Sequence, residues 1–192
     1  DDQGRIVFNA QTANTISVMD PKSQSLVEYQ IPSKNPNWGD CDPGTGIVMP
    51  DCGLAQVFDF AIDGKKIWFT EWVENNIGVV DTTVSLPIEI QLESDSVILK
   101  PGDSEHFNFV ISPNSQSDLF DVSLILNTSH DFLSVDLDLH IPKSFQLDFD
   151  APRPIHGNIS ASDDAIPGTY KILFGAQSSD VAISKFVTVT IE

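Results

Sequence analysis

Apolar and polar residues cluster or alternate in short runs along most of the chain, and Gly, Pro, Asn, Asp and Ser punctuate the gaps between runs. Residues 6–9, 15–20 and 26–31 form three such runs, with turn-like stretches at 11–14 and 21–25 between them. A second set follows at 56–62, 66–72, 77–81 and 88–92. Asp63-Gly64 supplies a tight turn within it, because glycine accepts the positive φ that primed hairpin turns require. Residues 5–31 align with 66–92 at a constant offset of 61 and without a gap. Ile6, Phe8, Asn14, Ile16, Val18, Asp20, Glu28 and Gln30 fall on the identical Ile67, Phe69, Asn75, Ile77, Val79, Asp81, Glu89 and Gln91. Fixed-period similarity signals like units that share a core and cannot each bury one alone.

Four antiparallel strands of about five residues with turns between them make one blade of a β-propeller. The second unit has four, and the first has three, lacking the opening strand. The repeat spacing exceeds the roughly 40–45 residues expected per blade by about the length of the Cys41–Cys52 loop, which is expected to be an insertion between the units. Two units are fewer than such arrays normally need, so the chain is expected to be the tail of something longer. From about Glu93 the repeat stops. Runs at 97–99, 106–112, 121–127, 135–141, 144–149, 157–162, 169–176 and 184–191 follow, with Phe107, Phe109 and Ile111 alternating onto one face. That density of strands and turns is an immunoglobulin-like sandwich signature. Tyr170 sits where such a fold places a corner tyrosine that hydrogen-bonds back to the backbone. No stretch carries a capped, helical apolar period. The expected fold is all-β: a partial β-propeller of about two blades, the first incomplete, over residues 1–92, then an immunoglobulin-like β-sandwich over 93–192.

The 192 residues include 28 acidic and 10 basic side chains, a net charge of −18, with 41% apolar content. That content supports real cores, and the acid is spread evenly over both halves. Such a surface repels nucleic-acid phosphates and anionic lipid heads alike, so neither is an expected partner. No apolar run approaches the length of a membrane span, and residue 1 opens no signal peptide. The chain is expected to be either a processed mature form or a fragment.

Cys41 and Cys52 flank a segment rich in Gly and Pro that is able to fold back on itself. The expectation is a disulfide, with two free thiols as the alternative; a zinc site would need further ligands, and no His lies nearby. Bridged cysteines imply an oxidising compartment and hence an extracellular or cell-surface address. Two glycosylation sequons, at Asn127 and Asn158, fit that address.

The run Ile67-Trp68-Phe69-Thr70-Glu71-Trp72, followed by Asn75-Asn76-Ile77-Gly78, resembles the blade signature of the streptogramin (virginiamycin B) lyase family of seven-bladed propellers. The resemblance covers 54–92 well and 4–32 in degenerate form. It implies that Trp68 and Phe69 fill the wedge between blades and that Asp81 caps a turn. In the family, ring opening by elimination uses a His near the central channel and acids that hold Mg²⁺. The family Glu falls on Glu71, whose counterpart in the first unit is Ala10. Residues 54–62 lack the His-Gly pair common in the family, and all four histidines, His106, His130, His140 and His156, lie in the sandwich region. A general base with a near-neutral pKa is therefore missing where that chemistry would sit. Glu71 is expected to be structural or surface-borne rather than a Mg²⁺ ligand.

Asp40, Asp42 and Asp51, beside Gly44 and Gly46, offer the hard oxygen donors that Ca²⁺ prefers, and they are the remaining metal candidates. Their spacing is not that of an EF-hand, and loop solubility or Asx turns explain them equally well. Asp136, Asp138 and His140 share one strand face by alternation, expected to be an exposed outer face. No nucleophile stands in a recognisable setting, and no cofactor is expected beyond these Ca²⁺ or Mg²⁺ candidates. Trp38 is expected to pack over the cysteine loop or join a partner contact. The functional expectation is a non-enzymatic extracellular or cell-surface binding or scaffold module, the C-terminal part of a longer propeller protein. The alternative is a fragment of a lyase-like enzyme whose catalytic residues lie in other blades. Either way, further blades or another protein chain are expected to cover the open edge near residues 6–8.

Overall fold

The computed structural model describes residues 1–39, 41, 52–138, 142 and 144–192. The described residues form strands β1 to β15 and one 3₁₀ turn, Pro36–Trp38, so the chain is all-β as expected. It divides into two compact units, Asp1–Lys22 with Leu26–Ser85, and Ser23–Ser25 with Leu86–Glu192.

The strands of the first unit fall into two groups of three neighbours. One has the order β1 (Ile6–Ala10), β2 (Thr15–Asp20), β3 (Ser25–Gln30). The other has β4 (Val57–Asp63), β5 (Lys66–Glu71) and β6 (Asn76–Asp81), paired antiparallel in that order. Ile16, Val18 and the partly buried Val7 of the first sheet pack with Val57, Ile67, Phe69 and Val80 of the second, and Ile31, Ala55, Tyr29 and Phe60 complete the cluster. Period-two alternation puts these residues on one face of each sheet, and burying them is the main stabilising contribution.

The repeat is visible in the turns. Asn14 and Asn75 take left-handed φ values of 56° and 55°, a conformation asparagine tolerates at low cost. Asp20 Oδ1 accepts from Lys22 N–H at 2.8 Å, and Asp81 Oδ1 from Thr83 N–H at 2.9 Å and Thr83 Oγ1–H at 2.6 Å. The Thr83 hydroxyl, then its backbone N–H, hold the Asp81 carboxyl below the usual range. Asn14 does more than turn the chain. Its amide donates to the carbonyls of Ile31 (3.0 Å) and Ser33 (3.1 Å) and accepts from Ala55 N–H (2.8 Å), tying the first sheet to the segment that leads into β4.

The second unit is sandwich-like. One sheet runs β12 (Phe145–Leu147), β10 (Leu119–Thr128), β14 (Gly168–Gln177), β15 (Val181–Ile191), with β8 (Ser96–Leu99) joining β15 in parallel. The other runs β11 (Leu133–Leu137), β13 (Arg153–Ala161), β9 (Ser104–Pro113), β7 (Ile88–Leu92). Phe107 and Phe109 meet Phe174 of the opposite sheet, with ring centroids 4.5 and 5.7 Å apart. Phe107, Phe109 and Ile111 are all buried, as their alternation predicts. Tyr170 Oη donates to the Ile166 carbonyl at 2.8 Å, the backward bond expected of it.

Two placements differ from expectation. The strand at Ile88–Leu92, read as the fourth of the second blade, pairs with β9 instead, where Ile90 lies opposite the buried Ile111. Six residues separate β6 from β7, against four between β2 and β3, and the division between units falls at Ser85 and Leu86. Trp68 and Phe69 also do not share a wedge. Neighbouring strand residues point to opposite faces, so Phe69 is buried between the sheets and Trp68 lies on the outer face.

Two substitutions test this core. Asn14→Gly keeps the backbone conformation accessible and removes the amide, so urea denaturation should show a loss of about 1–3 kcal/mol. Asn75→Gly, at an exposed turn, should be close to neutral in the same measurement. At Gly78 an added Cβ would stand 2.1 Å from Phe69 Cζ, inside the packed cluster. Gly78→Ala should therefore cost about 1–3 kcal/mol through overpacking and lower the thermal midpoint.

Candidate functional site

The residues that stand out chemically in the first unit are apolar and uncovered. Strand β5, KIWFTE, alternates exposed and buried positions, sending Ile67, Phe69 and Glu71 inward and Lys66, Trp68 and Thr70 outward. Register places Trp68 between Ala61 of β4 and Val79 of β6, and Thr70 opposite Ile77. Trp68, Ile77 and Val79 are all exposed, a continuous apolar stripe on the outer face of the sheet. At its end the exposed rings of Phe58 and Trp72 pack at 5.7 Å between centroids, tilted 56°. They border a hollow of about 590 Å³ whose other walls include Glu71, Asn75, Asn76 and Ile77. A shallower hollow of about 260 Å³ beside it is lined by Phe60, Ala61, Trp68 and Ile77. Exposed apolar patches rimmed by polar groups mark contact surfaces.

Glu71 is buried, and its carboxylate accepts from Asn76 Nδ2 at 3.3 Å across the β5–β6 turn. No group of three or more His, Cys, Asp or Glu among the described residues is placed to hold a metal ion. Asp40, Asp42, Asp51 and His140 lie outside the described residues. Asp136 and Asp138 are exposed, as expected.

Cys41 and Cys52 form a disulfide, with Cα atoms 5.4 Å apart. An isolated bridge between Asn35 and Leu54 stands beside it. Gly53, at φ 128°, lies so close to Asn35 that an added Cβ would be 2.5 Å from its carbonyl. Trp38 is half exposed in the adjoining 3₁₀ turn, which Asn35 caps by accepting from Asn37 N–H at 3.0 Å. No helix among the described residues is long and apolar enough to cross a membrane.

In the second unit, Asn127 is exposed on β10, while the half-buried Asn158 lies mid-strand on β13 between Asp136 and His106. The β9–β13 pairing stacks His106 on His156, with ring centroids 6.2 Å apart and planes 7° from parallel, and His156 Nδ1 contacts Asn108 Oδ1. These histidines are 50 positions apart in the sequence, so only the strand register brings them together. His130 packs separately on Tyr170 and Phe132.

No protein-family model matches the sequence, and a search of curated proteins finds no relative. Solved structures resemble the chain at a distance. A family 123 glycoside hydrolase from Clostridium perfringens aligns at TM-score 0.44 and 13% identity, over 56% of this chain and 27% of that one. Domains 4 and 5 of the S-layer protein SbsC align at 0.36 and 12%, over 66% and 64%. A Salmonella alpha-2-macroglobulin variant aligns at 0.44 and 12%, over 97% of this chain and 16% of that one. Likeness this faint carries no argument about function. The chain spans less than two thirds of each of these three.

The outer stripe was partly legible, because Ile77 and Val79 repeat Ile16 and Val18 and share their strand parity. Its exposure was not, since that depends on what stacks against the sheet. For the disulfide, Cys41→Ser should remove up to about 2–3 kcal/mol under oxidising conditions, read as a lowered thermal midpoint that reductant reproduces in the wild type.

Proposed function

We propose that this chain is a non-enzymatic extracellular or cell-surface binding and scaffold module. Its first unit contributes blade-like sheets of a longer propeller protein, and its second an immunoglobulin-like sandwich. The observation that carries the reading is the uncovered stripe of Trp68, Ile77 and Val79, continuous with the Phe58–Trp72 pair. Large apolar side chains in contiguous exposure lower their free energy when a partner covers them, and aromatic residues dominate such contacts. The disulfide supports an oxidising compartment. The first unit has no histidine, which supports a contact role over acid–base chemistry.

Two measurements test the reading. Natively folded protein at low concentration should bind the apolar dye anilinonaphthalene sulfonate, and Ile77→Asp should abolish most of that signal without changing the near-ultraviolet dichroism. Incubation with a cyclic depsipeptide lactone and Mg²⁺ should leave the ring intact by mass spectrometry. Ring opening would overturn the module reading in favour of the lyase-like alternative.

A further inference from the structure

The repeat in the first unit keeps residues that fold it and changes those around one hollow. Glu71, Trp72 and Asn76 fall on Ala10, Gln11 and Thr15 at the common offset, and Phe58 precedes the aligned segment. The first sheet pairs its strands without a carboxylate or a ring at these places, so strand pairing does not require them. All four line the hollow of about 590 Å³.

The backbone holds the two rings in place. Register shifts between β4 and β5 from Val57 to Phe60, an irregularity of the kind that re-aims a side chain, and Phe58 stands 65% exposed within it. Trp72 N–H donates to the Gln56 carbonyl at 3.2 Å and Val73 N–H to that of Ala55 at 3.4 Å, anchoring the chain beneath the second ring. Gln56 itself takes a left-handed φ of 51°. Two packed rings are thus ordered before any partner arrives, which lowers the entropy lost on binding.

The charge in the hollow is under-compensated. Glu71 is 5% exposed, yet its carboxylate accepts one long hydrogen bond, 3.3 Å from Asn76 Nδ2. A carboxylate has room for about four such bonds, and burying one without a cation is costly. No lysine or arginine among the described residues pairs with it. Glu74, in the turn between β5 and β6, adds a second acid whose Oε1 is buried with no hydrogen-bond partner among the described residues. Negative charge beside exposed ring faces, themselves electron-rich, attracts an organic cation. A metal ion fits less well, because it needs more ligands than the described residues bring together.

We propose that the Phe58–Trp72–Glu71 hollow takes the arginine side chain of a protein partner. This deepens the binding-module reading, on which it rests, by naming what the partner presents. A guanidinium is planar and stacks on a ring, offers donors in a fork that matches a carboxylate, and sheds water more readily than an ammonium. Ile77 lines this hollow and the shallower one beside Trp68, so apolar residues next to the arginine meet the outer stripe. The net charge of −18 draws a basic partner toward the surface.

Titration of the full 192-residue chain with Nα-acetyl-arginine amide, followed by proton–nitrogen NMR, tests this. The Asn76 side-chain amide and the Trp72 indole N–H should shift together and saturate at about millimolar concentration. The neutral citrulline counterpart should leave both unmoved, and the lysine counterpart should bind more weakly. Glu71→Gln keeps an acceptor for Asn76 and should weaken arginine binding about tenfold or more. Trp72→Ala, at an exposed position, should weaken it too, read at the Asn76 amide. Dispersed backbone resonances show that each variant is folded. Citrulline binding as well as arginine, lysine binding more tightly than arginine, Glu71→Gln binding arginine like the wild type, or no saturable shift would each overturn the proposal. Absence of the arginine response with dye binding through Ile77 intact would leave the module reading standing, whereas opening of the lactone would remove that reading whatever arginine does.

Discussion

Each β-sheet has two faces, and a stack of two sheets can cover only two of the four. In the first unit the covered pair is held by the apolar cluster around Ile16, Val57, Ile67 and Phe69, and is fixed in register by the Asn14 amide. Everything else about this unit follows from which faces those are. That packing leaves the face of the second sheet that carries Trp68, Ile77 and Val79 exposed. On the opposite face of β2 from Ile16 and Val18, Thr15 and Ser17 are buried too and hydrogen-bond to each other at 3.3 Å.

Charge and covalent chemistry make this open arrangement tolerable. An acidic surface spread over both halves keeps copies apart at low salt, limiting uncontrolled association through exposed tryptophans. The disulfide, with the Asn35–Leu54 bridge, closes the base of the segment that joins the two sheets. That closure lowers the entropy lost in bringing β4 against the first sheet. The contribution matters more here than in a large domain, because a unit of two small sheets buries little apolar area.

Strand positions were legible because they rest on local alternation. Phe107, Phe109 and Ile111 turned inward together, and β1, β2, β5 and β6 fall within a residue or two of the sequence runs. Strand partners were not legible. Residues 88–92 continue the repeat through Glu89 and Gln91, yet the strand joins β9, because Ile88 and Ile90 are buried there beside Ile111. Local similarity records which residues are alike; pairing is decided by what the second unit offers. The same limit hid the His106–His156 stack, which exists only through the register of two strands far apart in sequence. The parallel β8–β15 pairing lay equally beyond local pattern. Aspartates 40, 42 and 51 fall outside the described residues, so the calcium expectation gains nothing from the fold.

With β7 pairing elsewhere, β6 stands at the edge of its sheet, as β1 does in the other. Two routes for association then compete, edge to edge and face to face. Edge pairing would satisfy backbone groups that water already satisfies, so its net yield is modest, about 0.5–1.5 kcal/mol per bond. Covering the outer face of the second sheet removes Trp68, Ile77 and Val79 from water, and a fully buried side chain of that size contributes about 1.5–3 kcal/mol. Association itself costs on the order of 4–15 kcal/mol. Half-exposed side chains recover only part of their maximum, so a separate partner should hold weakly. A covering segment on the same polypeptide would avoid most of that cost, as the two sheets of the first unit do.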